Sequence, residues 1–210
     1  MPLYKTIAVS QKTTVYIWKV TESLNNLMVD IKLREHCQER MARMKSEIHK
    51  RGFASIRHLL AKAGYQDADL YYDEVGKPHL RDGKFISITH SHHFTGIIVS
   101  SEREAGIDIE MQRNKILRIA SKFTPIREYR TLANDEAVMR KLTIVWGAKE
   151  SLYKIYGTQG VSFLQHINVT DFDLDDSDTT AKITYHGKES WYDVSFLEFE
   201  GFTCVYALKK

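Results

Sequence analysis

Gly106-Ile107-Asp108-Ile109-Glu110 and Trp146-Gly147-Ala148-Lys149-Glu150-Ser151-Leu152-Tyr153-Lys154 are the stretches on which the reading of this chain turns. The first alternates apolar and acidic side chains, as a strand does, so Asp108 and Glu110 share one face and Ile107 and Ile109 the other. In the second, Trp146, Glu150 and Lys154 recur at helical spacing and share one face of an amphipathic helix. If that strand and helix meet, three carboxylates converge beside a lysine. Close carboxylates repel one another unless a proton or a cation lies between them. A hard divalent ion such as Mg²⁺ suits carboxylate oxygens, and sites of that kind also hold substrate phosphates. The two stretches predict metal-assisted chemistry on a phosphate or pyrophosphate.

The rest of the composition narrows the class. The 210 residues are 43% hydrophobic and 27% charged, an ordinary balance for a globular chain with room for one domain or two small ones. A formal charge of +3 suits anionic small molecules or an acidic protein surface and is too weak to argue for nucleic acid. The cysteines, Cys37 and Cys204, match no disulfide framework or zinc motif. No stretch approaches the roughly 18 apolar residues of a membrane span. The opening residues Met1-Pro2-Leu3-Tyr4-Lys5 lack the apolar core of a secretory signal. A reducing cytoplasm is the expected location.

Upstream of the acidic strand, Ile7 and Val9, then Val15, Ile17 and Val20, alternate with polar residues and predict two strands joined near Gln11-Lys12. From Glu22 to about Ala63 the spacing turns helical and charged, stopping at Gly64. Short strands follow at 70–72, 85–89 and 96–100, with turn signals at Gly76-Lys77-Pro78 and Asp82-Gly83. Downstream, helices are expected over 115–122, 126–132 and 135–156, then strands over 167–172, 181–185, 191–199 and 202–208. Each half offers strand, helices, then strands, with no Pro/Gly/Ser linker between them. The chain therefore reads as an α+β protein of two similar halves, residues 1–104 and 105–210, weakly duplicated. Closely packed, they would share a groove near residues 100–110, a natural ligand position.

Each candidate residue has an ordinary reading beside the chemical one. Alone, Asp108 and Glu110 would decorate a strand edge, and Glu150 with Lys154 would form an exposed ion pair worth about 0.3 kcal/mol. The apolar Ile107 and Ile109 and the neighbouring Gly106 favour a site. Thr89-His90-Ser91 closes an apolar strand, and an imidazole among hydroxyls donates well to an anion, so His90 reads as a phosphate contact. His92 and His93 read as a surface run rather than zinc ligands, because neighbours on an extended chain point to opposite sides. Gly76 and Pro78 would hold Lys77 on a rigid loop facing a charged ligand. Arg57, spaced among Phe53, Ile56 and Leu60, is expected to have an anionic partner more often than a freely exposed arginine would. Glu128 alone would be a helix amino-terminal acid favoured by the macrodipole. The acidic stretch 171–178 lacks the glycine and glutamate of a calcium loop and reads as a solvated turn.

Taken in order, Arg57, Gly76-Lys77-Pro78, Ile88-Thr89-His90-Ser91, Gly106-Ile107-Asp108-Ile109-Glu110, Phe123 with Glu128-Tyr129, and the Trp146–Lys154 helix resemble the 4′-phosphopantetheinyl transferase superfamily in its longer, single-chain form. The resemblance runs over residues 45–160, and the pairing of G-I-D-x-E with W-x-x-K-E-S-x-x-K is its specific part. It implies two α+β halves related by a pseudo-twofold axis, with coenzyme A in the cleft between them. The implied reaction is Mg²⁺-dependent transfer of phosphopantetheine from coenzyme A to a serine of an apo acyl or peptidyl carrier protein, releasing adenosine 3′,5′-bisphosphate. By position, Asp108, Glu110 and Glu150 match the metal-binding acids. Lys154, His90 and Lys77 match phosphate contacts, and Thr89 stands where many relatives have serine. Arg57 matches a helix arginine expected near the nucleotide 3′-phosphate. Glu128 matches an acid that serves either metal binding or proton removal. Gly147 and Gln159 depart from the usual residues of the tryptophan motif and of the position before Gly160.

On that resemblance the serine proton goes to Glu150 directly or to Glu128 through water, and both remain open. Carrier proteins are acidic around the modified serine, so the mild basic excess fits an electrostatic encounter; Lys115, Arg118 and Lys122 are the expected docking residues. Two halves in one chain suggest a monomer. The rival readings are a non-catalytic module binding coenzyme A or a carrier protein, and a Mg²⁺-dependent hydrolase of nucleotide pyrophosphates.

Overall fold

The computed structural model describes residues 3–125, 132 and 134–210. The chain divides into two compact units, Met1–Glu102 and Arg103–Lys210. Both mix helices with antiparallel sheet.

In the first unit, β1 (Leu3–Ser10) and β2 (Thr13–Lys19) form the hairpin that the alternation predicts. The charged helical region resolves into three helices, α1 (Leu24–Met28), α2 (Glu35–Arg43) and α3 (Glu47–Lys62). Only α3 carries an unbroken apolar face, burying Phe53, Ile56, Leu59 and Leu60, whereas α1 buries Leu27 alone and α2 only Cys37. Ser23 caps α1, its hydroxyl accepting from the Asn26 N–H at 3.3 Å, and Met44 turns extended to end α2. Gly64, at φ +87°, supplies the stop predicted after α3.

A small ribbon follows, β3 (Leu70–Tyr72) paired with β4 (Pro78–Leu80), then the hairpin β5 (Phe85–Ser91) and β6 (Phe94–Ser100). A three-residue strand opening on proline carries too little alternation to be read from sequence, so β4 emerges only in the structure. The main sheet runs β1-β2-β6-β5, and α3 packs across β6 and β2. Trp18, Leu27, Leu59, Leu60, Leu70 and Ile97 lie in its core.

The second unit opens with β7 (Ala105–Met111) and α4 (Lys115–Ile119). The helix expected over 126–132 falls outside the described residues. Next comes α5 (Asp135–Tyr156), with the bounds its spacing predicts. Asn134 caps it, its side-chain oxygen accepting from the Ala137 N–H at 2.9 Å, and Gly157 ends it at φ +65°. A single turn, α6 (Phe163–His166), leads into β8 (Ile167–Val169), β9 (Asp178–Tyr185), β10 (Lys188–Phe199) and β11 (Phe202–Lys209). The sheet runs β7-β11-β10-β9-β8, antiparallel throughout, with α5 laid over β7 and β11. Val145, Ala148 and Leu152 of α5 join Tyr192, Val194 and Val205 of the sheet in one core. The acidic stretch is a surface turn in which the Asp173 N–H donates to Asp176 Oδ2 at 2.8 Å. Among the described residues no helix is long and apolar enough to cross a membrane.

Candidate functional site

Two glycines let strand and helix meet. A Cβ at Gly106 would fall 2.1 Å from the Ser151 carbonyl oxygen, and one at Gly147 would fall 2.7 Å from Val205 Cγ2. Neither position tolerates a side chain, so the α5 backbone settles directly on β7 and β11. The Ser151 hydroxyl fixes that seating by donating to the Val205 carbonyl at 3.1 Å. In the β7–β11 register Asp108 lies opposite Val205 and Glu110 opposite Thr203. Alternation then turns Gly106, Asp108 and Glu110 to the face that α5 covers.

The charges meet there as the spacing predicts. Lys154 Nζ donates to Asp108 Oδ1 at 2.8 Å and to the Ile107 carbonyl at 2.8 Å. Asp108 is 6% exposed. Burial, then the Asp108 charge, pushes the Glu110 carboxyl up to about 7; a hydrogen bond from the Trp146 side chain opposes the rise, and the Glu150 charge adds to it. Burial and Asp108 likewise raise Glu150, with Lys154 pulling the other way. One ammonium therefore faces three carboxyl groups.

The donor set, all carboxylate oxygen with a deficit of positive charge, fits a hard divalent cation. The acids are within electrostatic reach without forming a finished chelate. Among the described residues no three metal-ligating side chains are gathered tightly enough to hold an ion as they stand. The Lys154 ammonium sits against Asp108.

Aromatic packing supports this face. Trp146 meets Phe123 edge-on at 5.0 Å and leans on Phe163 at 5.4 Å. Lys149, one residue before Glu150, is 1% exposed and donates to the carbonyls of Phe123 at 2.5 Å and Phe163 at 2.9 Å. Its place on the apolar side of α5, at helical spacing from Leu142, Val145 and Leu152, is the sequence signal that marks it as a buried lysine. A cavity of about 160 Å³ opens beside Glu110, lined also by Arg113, Lys115, Thr143 and Trp146. Across the indole an apolar hollow of about 300 Å³ is bounded by Ile119, Lys122, Phe123 and Phe163.

The remaining candidates lie in the first unit. Lys77 sits in the β3–β4 loop, where its N–H donates to Asp73 Oδ1 at 2.8 Å and its carbonyl accepts from the Asp73 N–H at 3.1 Å. That exchange ties the two sides of the loop together. Thr89 is buried and His90 keeps an exposed edge at the end of β5. Burial and the neighbouring His49 charge lower the His90 imidazole below its ordinary value.

Arg57 lies within the first unit, on α3. It is 5% exposed, its Nε donates to Asp67 Oδ1 at 2.9 Å, its Nη1 to the Phe53 carbonyl at 3.1 Å, and its guanidinium lies 3.5 Å over the Phe53 ring. An anionic partner of the kind its helical setting suggests is Asp67, inside the fold. Glu128 falls outside the described residues. Asp108, Glu110, Glu150 and Lys154 thus come together in the second unit, and Thr89 and His90 adjoin on one strand of the first.

The sequence model of the 4′-phosphopantetheinyl transferase superfamily matches residues 104–207. That span contains β7, α5 and all but the end of β11. No curated protein matches the chain.

Proposed function

Residues 104–207 are a domain of the 4′-phosphopantetheinyl transferase superfamily, and from that premise we propose that the protein transfers 4′-phosphopantetheine from coenzyme A to a serine of an apo acyl or peptidyl carrier protein, releasing adenosine 3′,5′-bisphosphate. The observation that carries the reading is the coincidence of the matched span with Asp108, Glu110 and Glu150 around Lys154.

Asp108, Glu110 and Glu150 would hold Mg²⁺, which when bound supplies positive charge to the pyrophosphate oxygens. Lys154, anchored on Ile107 and Asp108, presents an ammonium on the same face; one such preorganised donor is worth about 3 kcal/mol, roughly a hundredfold in rate. Lys77, Thr89 and His90 bind coenzyme A, with Lys77 and His90 on its phosphates. A carboxylate accepts the serine proton, either Glu150, whose raised affinity for protons suits a base, or Glu128 through water.

The units share one internal plan. In each, a strand is followed by helices and then a returning hairpin whose second strand pairs with the first strand: β2, α3, β5–β6 in one and β7, α5, β10–β11 in the other. This likeness supports reading them as pseudo-twofold copies. A monomer in the cytoplasm completes the proposal.

The test is a mass spectrum of an apo carrier protein after incubation with coenzyme A, Mg²⁺ and this protein. A covalent phosphopantetheine adduct is expected. Free phosphopantetheine without an adduct would make the protein a pyrophosphate hydrolase, and unchanged reactants would make it a binding module.

A further inference from the structure

We propose that Gly52 is a positioning residue for His90, a seat on α3 that holds the imidazole where it can donate to a substrate phosphate. The inference rests on the reading of His90 as a coenzyme A contact and deepens it. A Cβ at Gly52 would fall 2.5 Å from His90 Cδ2 and 2.6 Å from His90 Nε2, closer than side-chain carbons stand. The ring therefore lies on bare helix backbone. His49, one turn earlier on the same face of α3, closes the seat edge-on, its ring 5.8 Å from that of His90 at 77°. A hydrogen bond to the His92 backbone engages the ring from its own hairpin.

The helix cannot back away to make room for a side chain. Ser55 Oγ donates to the Gly52 carbonyl at 2.8 Å and shares a hydrogen bond of 2.8 Å with Thr95 Oγ1. Thr95 is the residue opposite His90 in the β5–β6 register, and Ser55 and Thr95 are both fully buried. α3 is thus clamped to the sheet at the level of the seat. Were a methyl added at position 52, the imidazole would have to move, and its exposed edge leaves it room to swing outward. Glycine within a helix is also less stable than alanine, and Gly52 lacks the positive φ that would require one. The three atoms nearest to where a side chain would start at position 52 all belong to His90.

The experiment is a double-substitution cycle on the full chain, with coenzyme A affinity measured by calorimetry in Mg²⁺ and melting temperature recorded for each variant. Gly52→Ala should melt no lower than wild type yet bind coenzyme A about tenfold more weakly, the loss of one charge-assisted hydrogen bond. In turnover it should raise KM for coenzyme A with kcat retained. His90→Ala should weaken binding similarly, and the double variant should bind no worse than His90→Ala alone, because Gly52 acts only through the ring. Wild-type affinity in Gly52→Ala, independent losses that multiply in the double variant, or a lowered melting temperature in Gly52→Ala would each overturn the inference. A wild-type protein that binds no coenzyme A would overturn the transferase reading, and the inference with it.

Discussion

Replacing Glu110 by glutamine should make the protein more stable at alkaline pH while removing a proposed metal ligand. In the unfolded chain the carboxyl titrates at its ordinary 4.5; in the fold, burial and the Asp108 charge carry it up to about 7. Between those values the folded state holds a proton that the unfolded state has released, so stability falls as pH rises. The contribution is fully present below 4.5 and is lost as pH rises through about 7. At 1.36 kcal/mol per pH unit the loss is about 3 kcal/mol, an upper figure because relaxation around the charged group recovers part of it. The Asp108 charge acts on Glu110 and Glu150 alike, so the loss is shared by the cluster.

Glu110→Gln keeps the shape and removes the charge. Denaturant unfolding in chelator, from pH 4.5 to pH 8, should show wild type weakening across the range and the variant much flatter. At pH 8 the variant should lead by up to about 3 kcal/mol, with the gap closing toward acid. Adding Mg²⁺ at pH 8 should stabilise wild type more than the variant, as a ligand of the folded state does. Parallel pH profiles for the two proteins would refute the argument, since they would mean that Glu110 ionises freely.

Further substitutions probe the other parts. Arg57→Met leaves Asp67 buried without its closest guanidinium and should cost about 4 kcal/mol in urea unfolding; Arg57→Lys should recover little, since one ammonium cannot reproduce the contacts to Asp67, Phe53 and Cys37. Gly106→Ala drives a methyl into the Ser151 carbonyl and should cost about 3 kcal/mol or more, with Mg²⁺ affinity falling because α5 must lift off β7. Lys154→Met should lower kcat about a hundredfold at saturating coenzyme A, and unfolding should show Asp108 destabilised by the loss of its ammonium.

What the sequence made legible follows from the strength of each local pattern. α5 and β7 could be bounded closely because their periodicities are long and clean, and the convergence of Asp108, Glu110, Glu150 and Lys154 follows from parity on the strand and spacing on the helix. The ends of the N-terminal helices are hard to place because charge and scattered methionines blur them; the extended Met44 that ends α2 shows only in the backbone geometry. The pairing of Arg57 with Asp67 is hidden because sequence shows a charge among apolar residues and cannot show which acid reaches it. The duties of Gly52 and Gly106 were hidden for a related reason. A glycine's role as a gap depends on what stands opposite, and that neighbour comes from a distant part of the chain.

Among the described residues the strand bearing Asp108 has one sheet neighbour, β11, which pairs Asp108 with Val205. During synthesis on the ribosome, β7 and α5 are made before their partner. The acidic cluster must wait, its carboxylates solvated and apart, until β11 inserts between β7 and β10. Such distant pairing carries a large loop-closure cost and folds slowly. Competence for catalysis should therefore be acquired late and all at once, and a nascent chain stalled before Phe202 should display helical α5 without a functioning centre.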